Sequence, residues 1–255
     1  MGLKGLGQFA AVLVLISGVS RAAILDTISY NFPLGGGGGG ASAQLDKGPA
    51  IEVFCVDFAN DIFVPHLNYP ANVTTITSAS NLNHTRYGGN TGWVSVAPYI
   101  TGGDADDAAD AAIIDATGAL GRYQMAAYLV SQYNIPAGNT AANNGIQQAI
   151  WDILDPTTLP AGKVLPSIGN ASNGLEAAAE WYGSTTQVFR DQYLANYRII
   201  SDAQNMGFCG SNLPLCGGFQ EQITAVPEPS HTALVLIGLL FVGSMALRRF
   251  TGVAG

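Results

Sequence analysis

The stretch "IEVFCVDF", residues 51–58, decides the fold class. Its β-branched and aromatic residues are typical of a strand, and strand alternation places Ile51, Val53 and Cys55 on one face. We therefore expect the Cys55 thiol to point into a packed interface. The runs "NVTTITSA" and "GWVSVAPYI" follow, separated by Gly, Asn and Pro turns. Together these runs predict a β-rich N-terminal half with a sandwich or barrel-like arrangement.

Helical periodicity replaces the strand pattern from about residue 105 onwards. One helix is predicted in "RYQMAAYLVSQY" and a second in "NGIQQAIWDIL", where Asn143 or Asn144 is the expected N-cap. The segment "GGFQEQITAV" returns to a strand pattern and could close the sheet. This order predicts an α+β fold in which the helical C-terminal half packs on the β-rich half. A third helical stripe is formed by Phe189, Tyr193, Tyr197 and Ile200.

The chain begins with a secretory signal pattern. Lys4 precedes the apolar run "FAAVLVLISGV", and the small residues Ser20 and Ala22 fit a cleavage site. We assign residues 1–22 to a signal peptide and 23–50 to a Gly-rich N-terminal segment that contains six consecutive glycines. Residues 51–225 form the predicted main domain, and 226–250 form a C-terminal signal.

The C-terminal signal combines three elements in order. An apolar run over 232–247 follows the motif "VPEPS", and Arg248 and Arg249 end it. As a helix the run reaches about 24 Å, slightly less than the ~30 Å hydrocarbon core, so flanking residues would complete a transmembrane span. The two arginines place the C-terminus in the cytoplasm and the main domain outside. The motif itself consists of Val226, Pro227, Glu228, Pro229 and Ser230.

These elements resemble the PEP-CTERM sorting signal of exported bacterial proteins. The resemblance implies export, transient residence in the inner membrane and cleavage by an exosortase near residues 226–230, much as other short hydrophobic tails serve as temporary tethers. It also implies release or attachment at the cell surface or in the extracellular matrix, in bacteria that secrete exopolysaccharide. A simple tail anchor is the alternative interpretation of the same residues.

The charge of the chain restricts its partners. The formal net charge is −8, and four of the ten basic residues lie in the terminal signals, so the main domain is more acidic still. An acidic surface is a poor partner for nucleic acid or anionic lipid. The acidic run "DADDAAD", residues 104–110, clusters four carboxylates and could suggest calcium, but it lacks the glycine at the sixth position and the closing glutamate of an EF-hand. We therefore expect an acidic helix start there, and neither a metal nor another cofactor.

The three cysteines divide into a pair and a single residue. Cys209 and Cys216 lie in "GFCGSNLPLCGG", and in an exported chain this spacing predicts a disulfide. Cys55 is left over. A leftover cysteine in a secreted protein is a buried thiol, an intermolecular link or a chemically used group.

Two short motifs bear on the role of Cys55. "FCVD", residues 54–57, and "IQQAIW", residues 146–151, resemble the paired signature of the surface thioester domains. The resemblance implies that Cys55 and Gln147 form an intramolecular thioester. The pocket residues that it implies around this bond are Asp57, Ile150 and Trp151.

Gln148 is an alternative partner for the cysteine, because it is one residue and about 100° away on the same helix. Gln147, however, precedes Trp151 by four positions and shares its face. With such a thioester the protein would act in covalent adhesion and would not be an enzyme. The expected ligand is an amine or hydroxyl at a surface or in the matrix, including polysaccharide.

Two other functions stay open. A cysteine hydrolase would need a histidine beside Cys55, and the main domain contains only His66 and His84, both in predicted loops. A noncovalent biofilm-matrix or carbohydrate-binding protein is the stronger alternative, with Cys55 as a plain core residue. Its candidate sugar-stacking residues are Tyr87, Trp93, Tyr99, Trp181 and Tyr182.

Overall fold

A computed structural model describes residues 26–33, 40–57, 66–133, 140–157, 167–203 and 221–226. The predicted signal peptide, the Cys209 and Cys216 pair, and the sorting signal from Pro227 onwards lie outside the described residues. The disulfide and the two terminal signals therefore stay predictions. None of the described helices is both long enough and apolar enough to cross a membrane.

Within the described residues, six antiparallel strands close into a barrel in the order β1-β2-β3-β6-β5-β4. The barrel-like form of the predicted α+β fold is thus confirmed. The return segment near the end also closes the sheet as expected, because β6 lies between β3 and β5. The strands are β1 (Asp26–Pro33), β2 (Gly40–Leu45), β3 (Ala50–Cys55), β4 (His66–Thr75), β5 (Tyr197–Asp202) and β6 (Gln222–Ala225).

The helices form one insertion between β4 and β5. Two core clusters result: a small one made of strand residues such as Ile51 and Val53, and a large one in which the end of β3 packs against the helices. Two short 3-10 helices, Ala79–His84 and Ala97–Tyr99, precede the longer helices. These are α1 (Asp107–Asp115), α2 (Ala119–Ser131), α3 (Ala141–Ile153), α4 (Ser172–Ser184) and α5 (Gln187–Tyr193).

The barrel begins earlier in the chain than the predicted domain boundary. Both β1 and β2 lie within the segment 23–50, which the sequence analysis separated from the main domain. β2 pairs with β3 over five residue pairs, starting at Gly40 and Phe54. The glycine-rich run suggested a linker because it lacks side chains. Its last glycine is instead the first residue of a strand, so the boundary at residue 51 divides the barrel.

Three local predictions differ from the structure. The run "GWVSVAPYI" is no strand: Trp93 makes only an isolated bridge to Pro156, and a 3-10 helix begins where Pro98 follows Ala97. The third helical stripe is interrupted, because α5 ends at Tyr193 and β5 pairs with both β4 and β6. The N-cap of α3 is Thr140, whose hydroxyl accepts a hydrogen bond from Asn143 N at 3.2 Å.

Candidate functional site

Cys55 and Gln147 meet where the end of β3 packs against α3. Gln147 Nε2 donates a hydrogen bond to the backbone carbonyl of Cys55 at 2.7 Å, although the two residues are 92 positions apart. Their exposed fractions are 3% for Cys55 and 1% for Gln147. The structure therefore brings the two residues of the paired signature together in a buried contact.

The Cys55 thiol and the side-chain oxygen of Gln147 differ in their hydrogen bonding. The Cys55 thiol donates to the backbone carbonyl of Asp57 at 3.2 Å. The side-chain oxygen of Gln147 is buried and accepts no hydrogen bond from the described residues. A buried acceptor without a donor costs about 1–3 kcal/mol, so such an atom calls for an explanation. The carboxamide of Gln147 is thus held at its nitrogen end only.

Gln148 is held by both ends and faces a different part of the chain. Its Nε2 donates to Asp152 at 2.9 Å, and its Oε1 accepts from the backbone N–H of Ile168 at 3.0 Å. The first bond lies within α3, and the second ties this helix to the segment that precedes α4. Of the two candidate glutamines, only Gln147 has a hydrogen bond to Cys55 among the bonds of the described chain.

Apolar side chains surround the Cys55 and Gln147 contact. Ile150 and Trp151 are 0% and 3% exposed and belong to the same large core cluster as Cys55. Phe54 belongs to this cluster too, and its ring lies 4.9 Å from that of Tyr133. Ile51 and Val53, which alternation placed on the face of Cys55, belong to the smaller cluster. Water is therefore excluded from the contact mainly by the helices.

Asp57, the third predicted pocket residue, holds a buried ion pair beside this contact. Its Oδ2 lies 2.8 Å from Arg86 Nε, and its Oδ1 accepts from the Tyr87 hydroxyl at 3.0 Å. Burial lowers the pKa of Arg86, but attraction to Asp57 and Glu221 outweighs it and raises that pKa overall. The guanidinium therefore stays charged, and the pair fixes the chain just after Cys55.

Glu221, which the sequence analysis did not identify, completes this buried network. It precedes β6, is 0% exposed, and accepts hydrogen bonds from Arg86 N at 2.6 Å and Ser201 Oγ at 2.5 Å. The Tyr123 hydroxyl donates a hydrogen bond to the other carboxylate oxygen of Glu221. Burial raises the pKa of Glu221, and the hydrogen bonds oppose that rise. One sequence signal was present: Glu221 is the single charged residue in "GGFQEQITAV".

The residues of the two alternative functions are placed differently. His84 is exposed at the end of a 3-10 helix, whereas Cys55 is buried, so these positions give no support to a catalytic dyad of the two. The side chain of His66 lies outside the described part of the chain. Of the candidate sugar-stacking residues, Tyr87 is buried, Tyr99 is 37% exposed and half-buried Trp93 lies under the Arg122 guanidinium at 4.8 Å.

Trp181 belongs to an aromatic surface cluster that we define as Tyr128, Trp181, Phe189 and Tyr193. The rings of Tyr128 and Trp181 stack at 4.7 Å with an interplanar angle of 8°, and Tyr193 lies 5.7 Å from Trp181. Phe189 and Tyr193 are 47% and 41% exposed. Tyr182 instead lies under the Arg190 guanidinium at 4.0 Å. This cluster is the part of the described surface that best suits stacking against a sugar ring.

Two buried carboxylates lie at the C-terminal end of α3. Asp152 and Asp155 are 1% and 4% exposed, and each has one buried oxygen without a hydrogen-bond partner among the described residues. Burial raises the pKa of each carboxyl to about 6, and the charge of Asp155 adds to the rise at Asp152. A helix C-terminus also disfavours negative charge. These groups therefore destabilise the folded chain when they ionise.

We expect Asp155→Asn to raise the free energy of unfolding by about 1–2 kcal/mol at pH 7.5. Because burial raises the pKa of Asp155 from 3.8 to about 6, the folded chain binds a proton in that interval that the unfolded chain releases. The contribution of the native Asp155 carboxyl to the free energy of unfolding is thus largest below pH 3.8, and it is lost as the pH rises through 6. Urea unfolding at pH 4.5, 6 and 7.5 should show a gain that grows with pH, whereas Glu52→Gln at an exposed position should show none. A gain of equal size at all three values would contradict the argument.

No protein-family model, curated protein or solved structure matches this chain. The geometry around Cys55 and Gln147 is therefore the starting point for the function.

Proposed function

We propose that this chain is an exported surface or matrix protein that stores an intramolecular thioester between Cys55 and Gln147 for covalent adhesion. The observation that carries the proposal is the 2.7 Å hydrogen bond between Gln147 Nε2 and the Cys55 carbonyl, made between two residues that are both buried. It holds the carboxamide beside the residue whose thiol would react with it.

Thioester formation needs only groups that the chain supplies. The Cys55 sulfur attacks the side-chain carbonyl carbon of Gln147, the carbon–nitrogen bond breaks, and the thiol proton leaves with the amide nitrogen as ammonia. Holding two groups at reacting distance can remove up to about 7–11 kcal/mol of a barrier. The side-chain oxygen of Gln147 already lacks a donor, so the amide is less stabilised there than a fully bonded one.

In adhesion, an external nucleophile opens this thioester. An amine or hydroxyl of the ligand attacks the acyl carbon of Gln147 and forms an amide or ester, while the carbon–sulfur bond breaks and Cys55 takes back a proton. The reaction consumes the thioester, so each molecule acts once and does not turn over. Ile150 and Trp151 support storage of the bond, because their burial keeps water from hydrolysing it.

The cellular route is proposed from the terminal signals. The domain described here ends with β6 at Ala225, directly before the "VPEPS" motif at residues 226–230. An exosortase would cleave there after transient residence in the inner membrane, and the domain would reach the cell surface or the extracellular matrix. Matrix polysaccharide or a surface amine is then the partner, and nucleic acid is not.

A noncovalent matrix or carbohydrate-binding protein is the second candidate function. The observation that favours it is the aromatic surface cluster, in which two rings stack at 4.7 Å and two others are more than 40% exposed. In that case Cys55 is an unreactive core thiol. The cluster and the proposed thioester use different residues, so one experiment on Cys55 separates the two functions.

The deciding experiment is the intact mass of the full chain, purified in mild detergent, before and after incubation with methylamine. We expect a mass lower by one ammonia than the sequence requires, and a methylamine adduct that maps to the Gln147 peptide with a newly free Cys55 thiol. Peptide mapping is needed because ammonia can also leave at the two Asn-Gly pairs, residues 144–145 and 173–174.

The matched variants are Cys55→Ala, Gln147→Ala and Gln148→Ala. The first two should abolish ammonia loss at this position and leave the predicted bridge between Cys209 and Cys216 intact. Gln148→Ala should retain it, because that side chain bonds Asp152 and Ile168 instead. A full mass with a free, unreactive Cys55 would remove the thioester proposal and leave the noncovalent function.

A further inference from the structure

A second cluster of functional groups lies between α1 and α4, away from Cys55. Carboxylate oxygens of Asp106, Asp110 and Glu180 lie within 4.8 Å of one another. A second group that shares Asp106 consists of Asp104, Asp106 and Asp107. Acidic groups on a surface are common, so this grouping alone does not define a site.

Asp110 gives the cluster a buried member that is aimed into it. The residue is only 6% exposed, and its carboxylate has no hydrogen bond or ion pair with the described part of the chain. A buried carboxylate that faces other carboxylates instead of a donor is costly, because nothing in the described chain compensates its charge.

Asp106 adds an independent observation about side-chain direction. It occupies the N-cap position of α1, where an aspartate side chain normally accepts a hydrogen bond from a backbone N–H of the first turn. Here the side chain makes no capping bond, although the backbone carbonyl accepts from Ala109 and Asp110 at 2.7 and 2.9 Å. The carboxylate is instead placed with its oxygen near those of Asp110 and Glu180.

Three of the described arginines are engaged elsewhere. Arg86 forms an ion pair with Asp57, and Arg122 forms one with Asp115, so neither of these pairs involves this cluster. Arg190 bonds Tyr182 and Thr185 instead. Calcium binds through several oxygen ligands, carboxylates among them, and three carboxylates meet in this cluster.

We infer that Asp106, Asp110 and Glu180 form a calcium site that joins α1 to α4. The inference revises the sequence-based expectation of no metal. That expectation relied on the EF-hand spacing of residues 104–110, whereas the third ligand comes from another helix far along the chain. The site is separate from the proposed thioester, so either can fail without the other.

The test is the thermal unfolding midpoint of the full chain in 10 mM calcium chloride, compared with sodium chloride of equal ionic strength. An extracellular site of this kind binds with a dissociation constant of about 10⁻⁴–10⁻³ M, which predicts a calcium-specific rise of about 5 °C. The intact mass is measured on the same samples, which reports the thioester separately. An equal midpoint in both salts would overturn the site.

Two variants and a control test the ligands. Asp110→Asn and Glu180→Gln should lose the calcium-dependent rise. Without calcium, Asp110→Asn should unfold at the midpoint of the parent chain or above it, because the substitution removes repulsion between carboxylates. A loss of fold therefore cannot explain the result. Glu52→Gln removes the same charge at an exposed position on β3 and should keep the full rise. A calcium response that survives in both ligand variants would also refute the proposal.

Discussion

Arg86→Met is expected to lower the free energy of unfolding by about 3–5 kcal/mol, because it leaves the buried carboxylate of Asp57 without its counter-charge. The Arg86 and Asp57 side chains are 2% and 0% exposed, and their charged atoms are 2.8 Å apart. The Tyr87 hydroxyl is a remaining partner of Asp57, but a neutral donor cannot replace the guanidinium. Urea unfolding at pH 7.5 measures the loss.

The double variant Asp57→Asn with Arg86→Met is the matched control. It removes both charges, keeps the side-chain oxygen that accepts from Tyr87, and should recover much of the loss, since replacing a whole buried pair is often nearly neutral. Arg198→Met removes a half-buried cation that donates hydrogen bonds to the backbone carbonyls of Ala195 and Tyr197, and it should cost less. A double variant as unstable as Arg86→Met would show that the ion pair is not the cause.

Gly145→Ala is expected to destabilise the chain by about 1–3 kcal/mol and to reduce the fraction of chains that lose ammonia. A Cβ at this position would lie 2.5 Å from the Asn170 carbonyl oxygen, which is backbone and cannot move alone. A Cβ added at Gly169 would likewise lie 2.7 Å from backbone atoms of both Asn144 and Gly145. α3 would have to shift, and Gln147, two residues further on, would shift with it. Intact mass and urea unfolding measure the two effects.

Gly89→Ala is the control for this change, because a Cβ there meets no atom within 4 Å. It should leave both the stability and the ammonia loss nearly unchanged. Alanine favours a helix over glycine by about 1 kcal/mol, so a Gly145→Ala chain more stable than the parent would mean that α3 is free to move away from Asn170. That outcome would contradict the role assigned to this close contact.

Local sequence patterns predicted those helices and strands in which the spacing of the apolar residues matches the residues that are buried. β3, the helix α2 and the closing strand β6 follow from short runs whose apolar residues recur at strand or helix spacing. The run "GWVSVAPYI" has the same composition as a strand, but its isolated bridge joins Trp93 only to Pro156, which has no N–H to donate. The strand order was also outside the reach of local patterns, because it depends on pairings across the helical insertion.

The candidate site was predicted only in part for the same reason. Motif resemblance pointed to Cys55 and Gln147, and no local periodicity would have joined them across 92 positions. Arg86 and Glu221 were missed because their partners are distant in sequence and each looks like an ordinary charged loop residue. Burial distinguishes them, and burial of a single charged residue follows from the tertiary structure.

Closure of the barrel sets the order in which the domain can become complete. Thr224 on β6 donates to the Glu52 carbonyl on β3, and these residues are 172 positions apart. Until β6 arrives, β3 and β5 are open edges, and long-range strand pairing of this kind is slow to form. On the proposed export route the chain would therefore stay incompletely folded, and so able to pass through the export channel, until its final strand has crossed the inner membrane. The same delay would leave two unpaired edges exposed to neighbouring molecules during passage.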